Sequence, residues 1–248
     1  MVPKLFYTGG VQLTRKMLLI LLLSAPALAG TPKPLPTVRW TEGGPGCTLR
    51  RAENGYTYYS VSTVDFQLTL AVDNQELQKI SHRTLAMISV QLRFNNIGSH
   101  PVDVDPSQST LEFSKHFQVV QRALDPDSML TQLQQYIDDL SDDITRHQIK
   151  KHPEQKIAME AELQQWLKDY TEMMDFISTN ALHGGTLDTT NSSTSGWVFF
   201  DTKNRWIGHW RPPEQFVLRI PVNNAIVEFP FELPPKGGKV QLRTRPSQ

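Results

Sequence analysis

The side chains of this chain with chemistry to offer fall into four groups: scattered histidines, a run of aspartates, a basic cluster and two loop tryptophans. The histidines are His82, His100, His116, His147, His152, His183 and His209. None forms an H-E-x-x-H pair or joins a cysteine cluster, so no zinc motif is present. His147 and His152 are close enough in sequence to meet at a turn, where two exposed polar side chains are the ordinary outcome. Asp138-Asp139-Leu140-Ser141-Asp142-Asp143 has neither the turn glycine nor the late glutamate of a calcium loop, so it reads as a solvated helix face. Like charges at that spacing cost a few tenths of a kcal/mol, which points toward a basic partner. Arg146, His147, Lys150, Lys151, His152 and Lys156 gather into a basic tip. The helix dipole accounts for cations there. As a contact surface, Arg146, Lys150, Lys151 and Lys156 would meet anionic lipid, an envelope polymer or an acidic protein. Trp206, Trp210 and Arg211 lie in Trp206-Ile207-Gly208-His209-Trp210-Arg211-Pro212-Pro213. The two indoles either stack on a sugar ring or protein hot spot, or plug an open end of the fold.

Nucleophilic catalysis finds no support, because there is no G-x-S-x-G elbow, and Asn191-Ser192-Ser193-Thr194-Ser195-Gly196 reads as a loop. Gly184-Gly185 is too short for a phosphate loop. Asn191-Ser192-Ser193 matches a glycosylation sequon, which has meaning only in a eukaryotic source. No catalytic residue, metal ligand or cofactor is assigned.

The elements that position these groups divide by rhythm. Residues 47–124 read as strands. Val64, Phe66, Leu68, Leu70 and Val72 alternate with polar neighbours, and Ala86, Ile88, Val90, Leu92 and Phe94 repeat the pattern. Asn95 to Ser99 is a turn, Val102 and Val104 start a return strand, and Leu111–Phe113 and Phe117–Val120 are weaker candidates. In residues 126–178 the period changes. Leu130, Leu133, Ile137, Leu140 and Ile144 form one stripe, and Met159, Leu163, Trp166, Tyr170, Met173 and Ile177 form another. Asp127 or Ser128 caps the first helix, and Pro153 suits the first turn of the second. A connection near Gln148–Pro153 makes an antiparallel, coiled-coil-like hairpin about 30 Å long, its two stripes sealing against each other. Strands return over 186–244, with Thr194–Asp201, a Phe216–Val222/Val227–Leu233 hairpin turning at Asn223-Asn224, and a last strand at Val240–Leu242. Pro221 and Pro230 push that hairpin toward an edge or bulge.

Arg15 and Lys16, the apolar run Met17–Leu23 and Ala27-Leu28-Ala29 have the form of a secretory signal cleaved after Ala29. The run is far short of the about 20 residues that span a bilayer. An uncleaved anchor ending near Pro26 is the alternative, and Met1 and Met17 are both candidate starts. Removing residues 1–29 takes away Lys4, Arg15 and Lys16 and no carboxylate, which turns a formal charge of zero into −3. That balance argues against a general nucleic-acid binder. Cys47 is the only cysteine, so it is a strand residue, a free thiol or a link between two chains.

The expected organisation is a signal peptide over 1–29, a Pro/Gly-rich linker over 30–46, a β-sandwich over 47–125 and 182–244, and the helical insertion over 126–181. Val90-Gln91-Leu92-Arg93-Phe94-Asn95-Asn96 with Pro101-Val102-Asp103-Val104, and Ser195-Gly196-Trp197-Val198-Phe199-Phe200, resemble bacterial exported immunoglobulin-like domains of unknown function over about half of the mature chain. The resemblance implies an Ig-like sandwich and brings no catalytic residue; the helical insertion departs from it. These features lead to a periplasmic or secreted, non-enzymatic protein that presents the helical hairpin to a protein partner. The alternatives are a carbohydrate or envelope-polymer binder using Trp206, Trp210 and Arg211, and an enzyme whose site is assembled from scattered residues. A cleft placing His183 or His209 beside a carboxylate would favour the last. Exchange of helices between protomers is a further route to oligomers.

Overall fold

The computed structural model describes residues 34–51, 57–71, 87–115, 119–202, 214–233 and 241–242. The unit that begins at Leu35 is mainly β with two long helices. Val72, Ala86, Phe117, Val240 and the leader lie outside the described residues.

Five strands form an antiparallel sheet: β2 (Cys47–Arg51), β3 (Thr57–Ser62), β4 (Phe66–Ala71), β5 (Met87–Asn96) and β10 (Ser193–Asp201), in the order β10-β5-β4-β3-β2. The eight others form a second sheet: β1 (Thr37–Arg39), β6 (Val102–Val104), β7 (Thr110–Phe113), β8 (Val119–Arg122), β9 (Gly185–Leu187), β11 (Glu214–Val222), β12 (Ala225–Leu233) and β13 (Gln241–Leu242). The period-two pattern is realised directly. Phe66, Leu68 and Leu70 from one sheet, and Phe216, Leu218, Ile220, Val227, Phe229 and Phe231 from the other, belong to one buried core. The hairpin β11–β12 pairs from Glu214↔Leu233 to Val222↔Ala225, and its turn places Asn223 at φ 49°. Asparagine tolerates that left-handed conformation.

Several expectations need correction. Val64 is 85% exposed and precedes β4 instead of starting it. Thr63 closes a tight turn there: its hydroxyl accepts the Phe66 N–H at 3.1 Å, and its own N–H donates to the Phe66 carbonyl at 2.9 Å. The Pro/Gly-rich linker expected over 30–46 is built into the fold from Thr37 onward. β1 pairs parallel with β12, and Trp40 is 1% exposed, edge-on to Tyr59 at 5.3 Å. Pro221 and Pro230 do not mark an edge, because β11 and β12 have partners on both flanks. On the outer flank of β11, Pro221 falls between the β7 pairing that ends at Arg219 and the β6 pairing at Val222. Pro230 likewise falls between the β1 pairing that ends at Glu228 and the β13 pairing at Phe231. A missing N–H is harmless where two short partner strands leave a gap.

Helix α1 (Pro126–Asp142) continues through π-type turns at Asp143–Gln148 and an α-turn at Ile149–Lys151, and the chain breaks at His152 (φ −130°, ψ 64°). A 3-10 turn at Pro153–Gln155 leads into α2 (Lys156–Asn180), with Pro153 at its opening as the sequence suggests. The cap of α1 is Asp125, neither Asp127 nor Ser128; Asp127 stands in the first turn, and Ser128 is the donor to the cap. The helical stripes are buried much as their spacing predicts, with Met129 replacing Leu130 as the fully buried residue of the first turn. They do not seal only against each other. Met129, Leu133, Tyr170, Met173 and Ile177 share one cluster with Met87, Trp197 and Phe199 of the five-stranded sheet.

Candidate functional site

The helix pair is tied to the edge strand β10 at both of its chain ends. Ala123 bridges Phe200 and Ala181 bridges Trp197. Two backbone bonds reinforce these bridges, Leu124 N–H to the Phe199 carbonyl at 2.8 Å and Leu182 N–H to the Trp197 carbonyl at 2.9 Å. The fit requires glycine at 196, because a Cβ there would lie 2.6 Å from both Cα and N of Leu182. Outward from this root the helices rely on each other. Tyr170 is fully buried between Tyr136 (ring centroids 5.3 Å) and Trp166 (5.9 Å, stacked), and Leu163 is buried about two turns further out.

At the far end, Arg146, His147, Lys150, Lys151, His152 and Lys156 are all exposed. The structure brings the basic residues of the tip to one region but does not leave them uniformly available. Arg146 Nε lies 3.3 Å from Asp142 Oδ1, Lys156 Nζ lies 3.7 Å from Glu160 Oε1, and His152 Nδ1 lies 3.5 Å from Glu154 Oε1. From Asp142 to Glu160, four carboxylates offset four Lys and Arg residues, so the tip as a whole has little net charge. Lys150 and Lys151 make no ion pair among the described residues. Asp138, Asp139, Asp142 and Asp143 are exposed on α1 and its continuation, as a solvated face should be. Trp206, His209, Trp210 and Arg211 lie outside the described residues, so the stacking and plug readings are not brought to a geometry.

Sequence reasoning missed a cleft beside the root. Asp105, Ser107, Asp125, His183 and Trp197 line an open space of about 480 Å³ with Leu124 and Leu182. Two Asp-Pro steps build its acidic wall. Asp105 Oδ1 accepts the Ser107 N–H at 3.0 Å and hydroxyl at 2.6 Å, opening a 3-10 turn at Pro106. Asp125 Oδ2 accepts the Ser128 N–H at 3.0 Å and hydroxyl at 2.6 Å, opening α1 at Pro126. Aspartate followed by a proline at the first helical position is a capping signal that the sequence displays twice. The Ser128 hydroxyl and N–H bonds hold the Asp125 carboxyl below the ordinary aspartate range. Among the described residues no hydrogen bond or ion pair joins His183 to either carboxylate.

A second polar arrangement crosses the eight-stranded sheet. Arg39 of β1 meets Glu228 of β12 at 3.0 Å, Glu228 also takes Arg219 Nε of β11 at 2.8 Å, and Arg219 reaches Glu112 of β7. Burial works against the Arg219 cation, and the hydrogen bonds it donates to Glu112 and Glu228 outweigh that, leaving its pKa raised. Alternating charge across four strands is a cross-strand stabiliser. Cys47 opens β2 as a half-buried free thiol packed against the core. Among the described residues no group of three or more His, Cys, Asp or Glu could hold a metal, and no helix is long and apolar enough to cross a membrane. Comparison with family models, with curated proteins and with solved structures found no match to this chain.

Proposed function

We propose that this chain is an exported, non-enzymatic binding protein, in which an Ig-like sandwich displays an antiparallel helical hairpin to a protein partner in the envelope or extracellular space. The observation that carries the reading is the way the helix pair is held. Both of its chain ends bridge to β10, its root is buried with Trp197 and Phe199, and beyond the root its outward side chains are exposed. A fixed base with a solvated outer length keeps its shape without contacting the sheets along that length, which suits an element used for recognition. The leader supports export, and both sheets feeding one core supports a sandwich.

Because both ends of the pair meet one strand three residues apart, residues 126–180 can be replaced by a short Gly-Ser link without stretching the body. Circular dichroism should then show a loss of helix with the β signal kept. Affinity capture from an envelope extract should lose the proteins that intact protein retains. Retention of the same proteins by the shortened chain would defeat the proposal. A second reading, acid–base chemistry in the root cleft, is favoured by His183 sharing that cleft with Asp105 and Asp125. It requires turnover in a hydrolase substrate panel that His183→Ala abolishes, and wild-type turnover in that variant would dismiss it.

A further inference from the structure

The helix from Pro126 to Lys151 has a charge order that is inverted about a point between Ile144 and Thr145. Asp138, Asp142, Arg146 and Lys150 recur every four residues, and so do Asp139, Asp143, His147 and Lys151. All eight are exposed. Residues four apart are neighbours on a helix, as the 3.3 Å contact of Asp142 with Arg146 shows. A four-residue row drifts around a helix of 3.6 residues per turn, and the wider π-type turns at Asp143–Gln148 offset that drift. The two rows therefore share one face, acidic toward the root and basic toward the tip.

From this face we infer that the chain pairs with a second copy of itself, the α1 helices and their continuations to Lys151 running antiparallel about a two-fold axis near Ile144 and Thr145. A two-fold interface must be self-complementary: if one residue meets a second, the second meets the first. The inverted order satisfies that at all eight of these positions. Asp138 of one copy faces Lys151 of the other, Asp139 faces Lys150, Asp143 faces Arg146 and Asp142 faces His147. A parallel pairing would instead set acid against acid and base against base. The fold alone does not account for the pattern. The helix dipole favours Lys150 and Lys151 at the end of the helix, and Arg146 pairs Asp142 within the chain, but neither accounts for Asp138 and Asp139, which stand four residues before Asp142 and Asp143 and repel them. Lys150 and Lys151 have no acidic partner among the described residues of their own chain. The pairing rests on the helix pair being the contact element, and names a second copy as one thing it contacts.

Charge reversal in separate chains tests the inference. Analytical ultracentrifugation of the purified protein should show dimer at about 20 mM NaCl that dissociates at about 500 mM, since exposed charges are screened within a few ångströms at high salt. Asp138→Lys/Asp139→Lys makes both ends of the face basic, and Lys150→Glu/Lys151→Glu makes both ends acidic, with Asp142, Asp143, Arg146 and His147 kept at its centre. Each variant alone should associate at least about tenfold more weakly than wild type, and an equimolar mixture should recover dimer. The substituted positions are exposed, and circular dichroism checks that each variant keeps its helix. A wild-type chain that stays monomeric in low salt, a variant that associates as wild type does, or a mixture that stays monomeric would each overturn the pairing. None of these results bears on envelope capture by the helix pair, which the deletion tests separately.

Discussion

At the residue scale, two positions set the root of the helix pair. Gly196 is needed for space: its neighbour across the strand edge is the Ala181-Leu182 backbone, which cannot move without breaking the bond from Leu182 to Trp197. Gly196→Ala should destabilise the protein by about 1–3 kcal/mol, as overpacking does, read as a lower denaturation midpoint. Asp125 is needed for charge. Its pKa is depressed in the folded chain by the bonds from Ser128. The stabilisation is therefore fully present above the ordinary aspartate pKa of about 4, and is lost as pH falls through the lower folded value. Asp125→Ala should lower the melting temperature at neutral pH, and the gap to wild type should close as acidification protonates the Asp125 carboxyl, below the ordinary aspartate range. A gap independent of pH would show that Asp125 acts through packing instead. Asp188 follows the same logic, its carboxyl held low by the backbone N–H groups of Asn191 and Thr190.

At the scale of elements, the helix pair is two structures in sequence: a root built into the five-stranded sheet and an outer length held by its own seam. Leu133 is 1% exposed within the root cluster, while Ile157, in the first turn of α2, is 83% exposed. Leu133→Ala should cost about 2–5 kcal/mol in urea unfolding, and Ile157→Ala should change stability by no more than about 0.5 kcal/mol. The strands divide similarly. β11 and β12 are long and apolar on their inner face, and they carry the short strands β1, β6, β7 and β13 along their flanks. The Arg39–Glu228–Arg219–Glu112 chain of charges crosses this patchwork, linking β1 and β7 to the central hairpin.

For the molecule as a whole, the charge is unevenly spread. Residues 126–180 hold eleven carboxylates against five Lys and Arg, although the full chain is formally neutral. Such asymmetry steers association toward particular faces, and its influence fades with salt. The proposed export makes its own prediction. Protein recovered from the envelope fraction of cells expressing the full sequence should show, by intact mass, an amino terminus at Gly30. Recovery with residues 1–29 still attached would exclude cleavage after Ala29 and favour the anchor reading.

The sequence by itself determined the long strands and the helices, and which side of each is oily. Phe66, Leu68 and Leu70 can be buried together only as a strand, and Leu163, Tyr170, Met173 and Ile177 only as a helix. Such a rhythm is local, so it can be read without knowing the neighbours. Tertiary structure alone decided what each oily side meets. β1 is three residues long, too short to show a period, and exists because β12 offers it an edge. The root of the helices turned toward Trp197 and Phe199 because Ala123 and Ala181 bridge to β10, and no spacing in the chain announces those contacts. The cleft with Asp105, Asp125 and His183 brings together segments far apart in sequence. Each Asp-Pro cap has a local signal, although the spacing alone points to Asp127 or Ser128 for α1; their convergence follows from long-range strand pairing that sequence periodicity does not encode.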